Sequence, residues 1–145
     1  MRLCFTFSEQ LKGLIFDKKT TLETLGNDLK IDLSQFYRWQ RNSSVPSLDN
    51  LIKLSDYFEV TIDFLAGRKE QNYYSNHKES ASFGERLQEI ISKTGLSYYA
   101  FGKKHRVSRS TIRHWIRGES DPLLDSLIKL ADSLDVSIDY LVGRE

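Results

Sequence analysis

The sequence predicts an all-α protein: two tandem five-helix domains joined by a polar linker. Three observations predict it. First, residues 7–68 and 83–144 align over 62 positions at a constant offset of 76 without a gap, and 23 of those positions are identical, among them Trp39/Trp115, Pro46/Pro122, Gly67/Gly143 and Arg68/Arg144. A gapless repeat of that size gives two copies of one small domain, because a solenoid needs several shorter units. Second, apolar residues recur three and four apart within each copy, between Ser, Asp and Gly punctuation, which is the pattern of capped helices. Third, no segment alternates as a half-buried strand does.

In the second copy, Glu85, Leu87, Ile90 and Ile91 place an apolar stripe on a first helix over about 83–93, and Gly95 ends it. Ser97 caps a second helix running to about 105. Ser108 caps a third, with Ile112 and Trp115 on its buried side, and Gly118 stops it. Asp121-Pro122 opens a fourth helix, with the proline early, where its missing N–H costs nothing, and Leu124, Leu127, Ile128 and Leu130 form its core face. Ser137 caps a short last helix containing Ile138 and Leu141. The first copy repeats the plan through Leu11, Leu14, Ile15, Leu22, Leu25, Phe36, Trp39, Leu48, Leu51, Ile52, Leu54, Phe58, Ile62 and Leu65. The predicted domains are 1–68 and 83–145. Between them, Lys69–Ser82 lacks apolar periodicity and reads as an exposed linker that reaches roughly 45 Å when extended.

Each copy, of about 60 residues, is small but able to fold alone. The apolar runs fall far short of a membrane span, so no membrane partner is expected. Met1-Arg2-Leu3-Cys4-Phe5 lacks the apolar core of a secretory signal, and the single Cys4 suits a reducing cytoplasm. The net charge is only +1, but it is unevenly spread. Residues 97–118 hold Lys103, Lys104, Arg106, Arg109, Arg113 and Arg117 and no acid, whereas 21–42 balance Lys30, Arg38 and Arg41 against Glu23, Asp28 and Asp32. A basic stripe of this kind is the usual footprint of phosphate binding; its other reading is a solvated helix face.

The second and third helices of each copy carry the functional signal. Gly26 and Gly102 sit mid-helix, where Gly costs about 1 kcal/mol relative to Ala, so a close helix crossing must require a small residue. A short turn, a cap (Asp32 or Ser108), three exposed positions, an apolar residue (Phe36 or Ile112) and a Trp follow. That is the layout of a helix-turn-helix, whose second helix enters the major groove.

At these residues the sequence resembles the Cro/C1-type (XRE) helix-turn-helix family of bacterial and phage repressors. The second copy does so through VSRSTIRHWIRG and P-x-L-D-x-L-I-K-L-A-D-x-L-D-V-S-I-D-Y-L, the first through DLSQFYRWQRN and PSLDNLIKLSDYFEVTIDFLAGR. The resemblance implies two lambda-repressor-like domains acting on double-stranded DNA as a transcriptional regulator, a repressor, in the cytoplasm at the nucleoid. It departs from the family where Lys30 and Arg106 replace a turn Gly, at a cost of roughly 1 kcal/mol each if left-handed, and where His105 replaces an apolar residue. His105 reads as a packed histidine in a helix seam.

Carried over residue by residue, the base-reading positions are Arg109 and Ser110, following the cap Ser108, with His114 one turn on. Arg109 suits a guanine edge. Arg113 and Arg117 suit flanking phosphates, or the negative end of the helix dipole, and the helix start at Ser97 and Tyr98 suits an anion. In the first copy Leu33, Ser34, Tyr37 and Arg38, with Arg41 beyond, occupy the exposed positions. Leu33 and Tyr37 form an outward apolar pair suited to thymine methyls or to a protein partner. The first copy is therefore expected to be the weaker DNA reader. The linker is long enough for the two copies of one chain to pair face to face. Equally, two chains can pair through the first copy and present two second copies to a palindrome, as the family commonly does as dimers. This homodimer is favoured, because only the second copy has the basic face. The runner-up function is a protein-interaction module, antitoxin-like or an anti-repressor partner. No Gly-rich phosphate loop and no Cys/His ligand spacing is present, so no catalytic residue, metal site or cofactor is expected. No effector domain is expected beyond Arg144.

Overall fold

The computed structural model describes residues 6–72, 74 and 81–145. The Met1–Phe5 stretch with Cys4, and residues 73 and 75–80 of the expected linker, lie outside the described residues. The protein is all-helical. Its elements are α1 (Phe7–Asp17), α2 (Leu22–Leu29), α3 (Leu33–Gln40), α4 (Leu48–Phe58), α5 (Ile62–Leu65), α6 (Phe83–Thr94), α7 (Tyr98–His105), α8 (Arg109–Ile116), α9 (Leu124–Leu134) and α10 (Ile138–Leu141). Every helix of the second set starts at the repeat-equivalent of its counterpart: Phe7 and Phe83, Leu22 and Tyr98, Leu33 and Arg109, Leu48 and Leu124, Ile62 and Ile138. Contacts divide the chain into two compact units, Met1–Asn76 with Leu123–Asp125 and His77–Pro122 with Ser126–Glu145.

Local chemistry fixes the helix ends. Thr6 and Ser82 head capping boxes with Glu9 and Glu85. Thr21, Ser47, Thr61, Ser97, Ser108 and Ser137 each accept a hydrogen bond from the backbone N–H three residues on. Gly95 and Gly118 take the left-handed conformation at the ends of α6 and α8, as their positions in the sequence imply. Pro122 differs from expectation. Helix α9 begins at Leu124, so the proline precedes the helix instead of opening it. Pro46 lies likewise two residues before α4, ahead of the Ser47 cap, where its fixed φ suits the extended entry to a helix.

In the first unit Leu11, Leu25, Phe36, Trp39, Leu51, Leu54 and Leu65 are all buried. Phe7 and Phe36 meet the Trp39 ring edge-on, with centroids 5.8 and 5.1 Å away. In the second unit Leu87, Phe101, Ile112 and Leu141 are buried, and Phe83 lies 5.7 Å from Trp115. Each such side chain contributes about 1.5–3 kcal/mol by leaving water.

The two units solve the same backbone problems with different side chains. The Phe64 carbonyl accepts a 2.7 Å bond from Gln10, and its counterpart, the Tyr140 carbonyl, accepts a 2.6 Å bond from Arg86. Ser8 donates to the Gln40 carbonyl at 3.1 Å. At the equivalent place Gly84 lies so close that a Cβ would sit 2.6 Å from the Ile116 carbonyl oxygen. The start of the polar stretch is also anchored. Asn72 donates to the Glu59 carbonyl at 2.8 Å and accepts from Thr61 N–H at 3.0 Å, so Lys69–Asn72, though exposed, is tied to the first unit at its end.

His105 on α7 is buried, as its reading as a seam residue expects. Its Nδ1 lies 2.5 Å from Ser133 Oγ, and its ring centroid 4.4 Å from that of Phe101. Leu29 and Tyr57 hold the two equivalent positions of the first unit. Burial, and then the neighbouring Lys104 charge, lowers the His105 pKa below 6.5. The unfolded chain therefore takes up this proton more readily than the folded one. Stability from neutral His105 is complete above the unfolded value and is lost as pH falls through it. Between about pH 7.5 and about pH 5.5, the denaturation midpoint should fall further for the native sequence than for His105→Leu. Equal falls in the two proteins would contradict this.

Candidate nucleic-acid interface

The placement of α8 against α7 follows from one short turn. Arg106 ends α7 in the left-handed conformation, φ 59° and ψ 43°, and Lys30 does the same after α2, φ 55° and ψ 45°. Both are non-glycine residues in a region that L side chains disfavour by roughly 1 kcal/mol or more. The Val107 N–H donates to the Gly102 carbonyl at 2.9 Å, and the Val107 carbonyl folds back over Gly102. A Cβ on Gly102 would lie 2.1 Å from that oxygen and 3.2 Å from Ile112 Cδ1. The mid-helix glycine is thus required mainly by the turn carbonyl rather than by the crossing helix. Gly26 meets the Ile31 carbonyl with more room, 3.0 Å.

Ile112 and Trp115 turn into the core, so the opposite face of α8 carries Arg109, Ser110, Arg113, His114 and Arg117, all exposed. A surface concavity of about 680 Å³ is lined by Tyr99, Ser108, Arg109, Ser110, Arg113, His114 and Arg117. The structure therefore gathers Ser108, Arg109, Ser110, Arg113, His114 and Arg117 around one hollow. It leaves Ser97 and Tyr98 outside it: Ser97 Oγ accepts the Ala100 N–H at 3.1 Å as the α7 cap, and Tyr98 is half-buried.

Two residues of this surface escaped the sequence reading. Tyr99 is 61% exposed and lines the hollow from α7. Its signal was available, since Tyr99, Gly102, Lys103 and Arg106 share one face by helical spacing, and Gly102 faces the turn. These four line a second hollow of about 320 Å³ with Val107, Ser108 and Arg109. Glu119, just past the acid-free stretch, lies 3.5 Å from His114 Nδ1 and 3.9 Å from Arg117 Nη1. These pairs are exposed, so each is worth no more than about 1 kcal/mol. The carboxylate nonetheless sets one negative charge at the far end of the cationic row.

The matching face of the first unit has different chemistry. Tyr37, Ser34, Arg38 and Arg41 are exposed, but Leu33 is only half-exposed, so the expected outward apolar pair is incomplete. Leu33 is the first residue of α3, and helical side chains lean toward the N-terminus, which carries it back over the turn. Asp32, not Ser, caps this helix, accepting the Ser34 N–H at 2.8 Å. That bond, with Arg38 nearby, holds the Asp32 carboxyl below its ordinary range. A permanent negative charge thus stands where the second unit has the neutral Ser108.

Residues 87–141, which span α7, the turn and α8, match the family model described as Helix-turn-helix. This part of the chain is a helix-turn-helix domain. The chain is 33% identical over 64 residues to the HTH-type transcriptional regulator ImmR of Bacillus subtilis, a match covering 44% of this chain and 50% of the relative. It is 36% identical over 66 residues to an HTH-type transcriptional regulator of Haemophilus influenzae, covering 45% and 27%. It is 26% identical over 76 residues to the cryptic phage CTXphi transcriptional repressor RstR of Vibrio cholerae, covering 50% and 68%. The chain thus spans half or less of the first two relatives. Among solved structures it is similar to the P22 c2 repressor in complex with a synthetic operator, at 32% identity and a TM-score of 0.41, covering 45% of this chain and 98% of that one. Among the described residues no helix is long and apolar enough to cross a membrane.

Proposed function

We propose that the protein binds double-stranded DNA sequence-specifically as a transcriptional regulator, acting as a repressor in the cytoplasm at the nucleoid. The observation that carries this reading is the hollow on α8, which groups Arg109, Arg113 and Arg117 with Ser108, Ser110 and His114 on the exposed side of a helix-turn-helix. Three guanidiniums at successive turns match a row of phosphates and base edges. The names of the relatives, transcriptional regulators and a phage repressor, support the same reading.

In this reading Arg109 and Ser110 contact base edges, with His114 beside them. Arg113, Arg117 and the start of α7 at Ser97 and Tyr98 hold phosphates. The chain is organised as domains 1–68 and 83–145 joined by 69–82, and the second domain is the main reader. The first domain, with Asp32 at its cap and Tyr37 exposed, is a weaker reader or a protein interface, and a homodimer paired through it presents two second domains to a palindrome. Light scattering at micromolar concentration should then show a dimer; a monomer both free and on DNA would refute that pairing.

Selection from a random DNA pool should return a defined site. On that site Arg109→Ala should lose about 1–3 kcal/mol of affinity and relax the preference at one base pair. Unchanged affinity and preference in that variant would show that the reading face is assigned wrongly. A chain that enriches no sequence would favour the protein-interaction alternative.

A further inference from the structure

The role of Tyr99 is not accounted for by the fold. It is a large aromatic residue, 61% exposed, on α7. Its hydroxyl has no hydrogen-bond partner among the described residues. A side chain of this kind contributes little to a core and leaves apolar surface in water. Tyr99 borders the two hollows described above, together with Ser108 and Arg109, so it stands beside the first turn of α8. In a helix-turn-helix the first turn of the second helix meets base edges.

The surroundings of Tyr99 select its partner. Lys103, Arg106, Arg109, Arg113 and Arg117 line one or both of these hollows with it, and no carboxylate lines either one. Five cations already supply charge for phosphates, so an aromatic face adds a different kind of contact. In the major groove the one apolar group that distinguishes a base pair is the C5-methyl of thymine. The first unit has none of this arrangement: Glu23 stands where Tyr99 does, and Leu33 and Tyr37 stand where Arg109 and Arg113 do.

We propose that Tyr99 is a specificity-determining residue whose ring packs on the C5-methyl of a thymine next to the base pair contacted by Arg109. Reading is then shared between the two helices: α8 supplies hydrogen bonds and α7 supplies an apolar contact. The inference rests on the DNA-binding reading above.

The test uses the full chain and the DNA site it selects from a random pool. Each thymine of the site is replaced in turn by deoxyuridine, which removes only the methyl. The native protein should lose about fourfold in affinity at one such position, the worth of one buried methyl-sized group. That position should neighbour the base pair whose preference Arg109→Ala relaxes. Tyr99→Phe should keep the sensitivity, and Tyr99→Ala should bind thymine and deoxyuridine sites equally. Sensitivity retained in Tyr99→Ala would overturn the proposal. So would a Tyr99→Phe loss as large as that of Tyr99→Ala with no thymine dependence, which would mark a hydroxyl contact to phosphate. Absence of any selected site would refute the DNA-binding reading itself, whereas a selected site indifferent to Tyr99 would refute this inference alone.

Discussion

The approach of the Val107 carbonyl to Gly102 is the constraint on which the functional face depends. With no Cβ at Gly102, the turn closes against α7, and Ile112 reaches the same point from α8. Ile112 and Trp115 then fix the rotation of α8 about its axis, and Arg109, Arg113 and Arg117 are left facing solvent. The left-handed Arg106 is the local strain that this closure imposes. The exposed cations are therefore positioned by buried contacts that they do not themselves make.

The two units separate fold from site chemistry. Their helices begin at equivalent residues, and both use a mid-helix glycine, a left-handed turn residue and a buried Trp. Their exposed faces share Ser34/Ser110 and Arg41/Arg117 but differ at the positions that set the charge. Ser108, Arg109 and Arg113 correspond to Asp32, Leu33 and Tyr37, so a neutral cap and two cations are exchanged for an anion and two uncharged side chains. Such exchanges leave the core intact, because the positions involved point away from it, yet they remove most of the positive charge seen by an approaching phosphate.

Much of this was legible in the sequence because its causes are local. Ser97, Ser108 and Ser137 are recognisable caps since each bonds a backbone N–H three residues away. Gly102 announced a close approach, although only the structure shows that a turn carbonyl makes it. The misreadings arise where the cause lies outside a local window. Pro122 fits a helix start by type, but α9 begins two residues later, at Leu124. Asn72 is tied to Glu59 and Thr61, which no periodicity reveals. Glu119 lies one residue past the acid-free stretch, and Tyr99 sits on the first helix of the motif, where helical spacing groups it with Lys103 and Arg106 but not with Arg109. Spacing alone places Leu33 outward, because it carries no information about the backward lean of a first-turn side chain.

On the proposed reading, most of the DNA affinity comes from the α8 face and little from its α3 counterpart. Salt dependence measures it directly, because each neutralised phosphate contributes about 0.9 to the slope of log affinity against log salt. In the full chain, Arg113→Ala and Arg117→Ala should each lower that slope by about 0.9, while Arg38→Ala and Arg41→Ala should change it much less. A slope that falls with the α3 arginines and not with those of α8 would contradict the account.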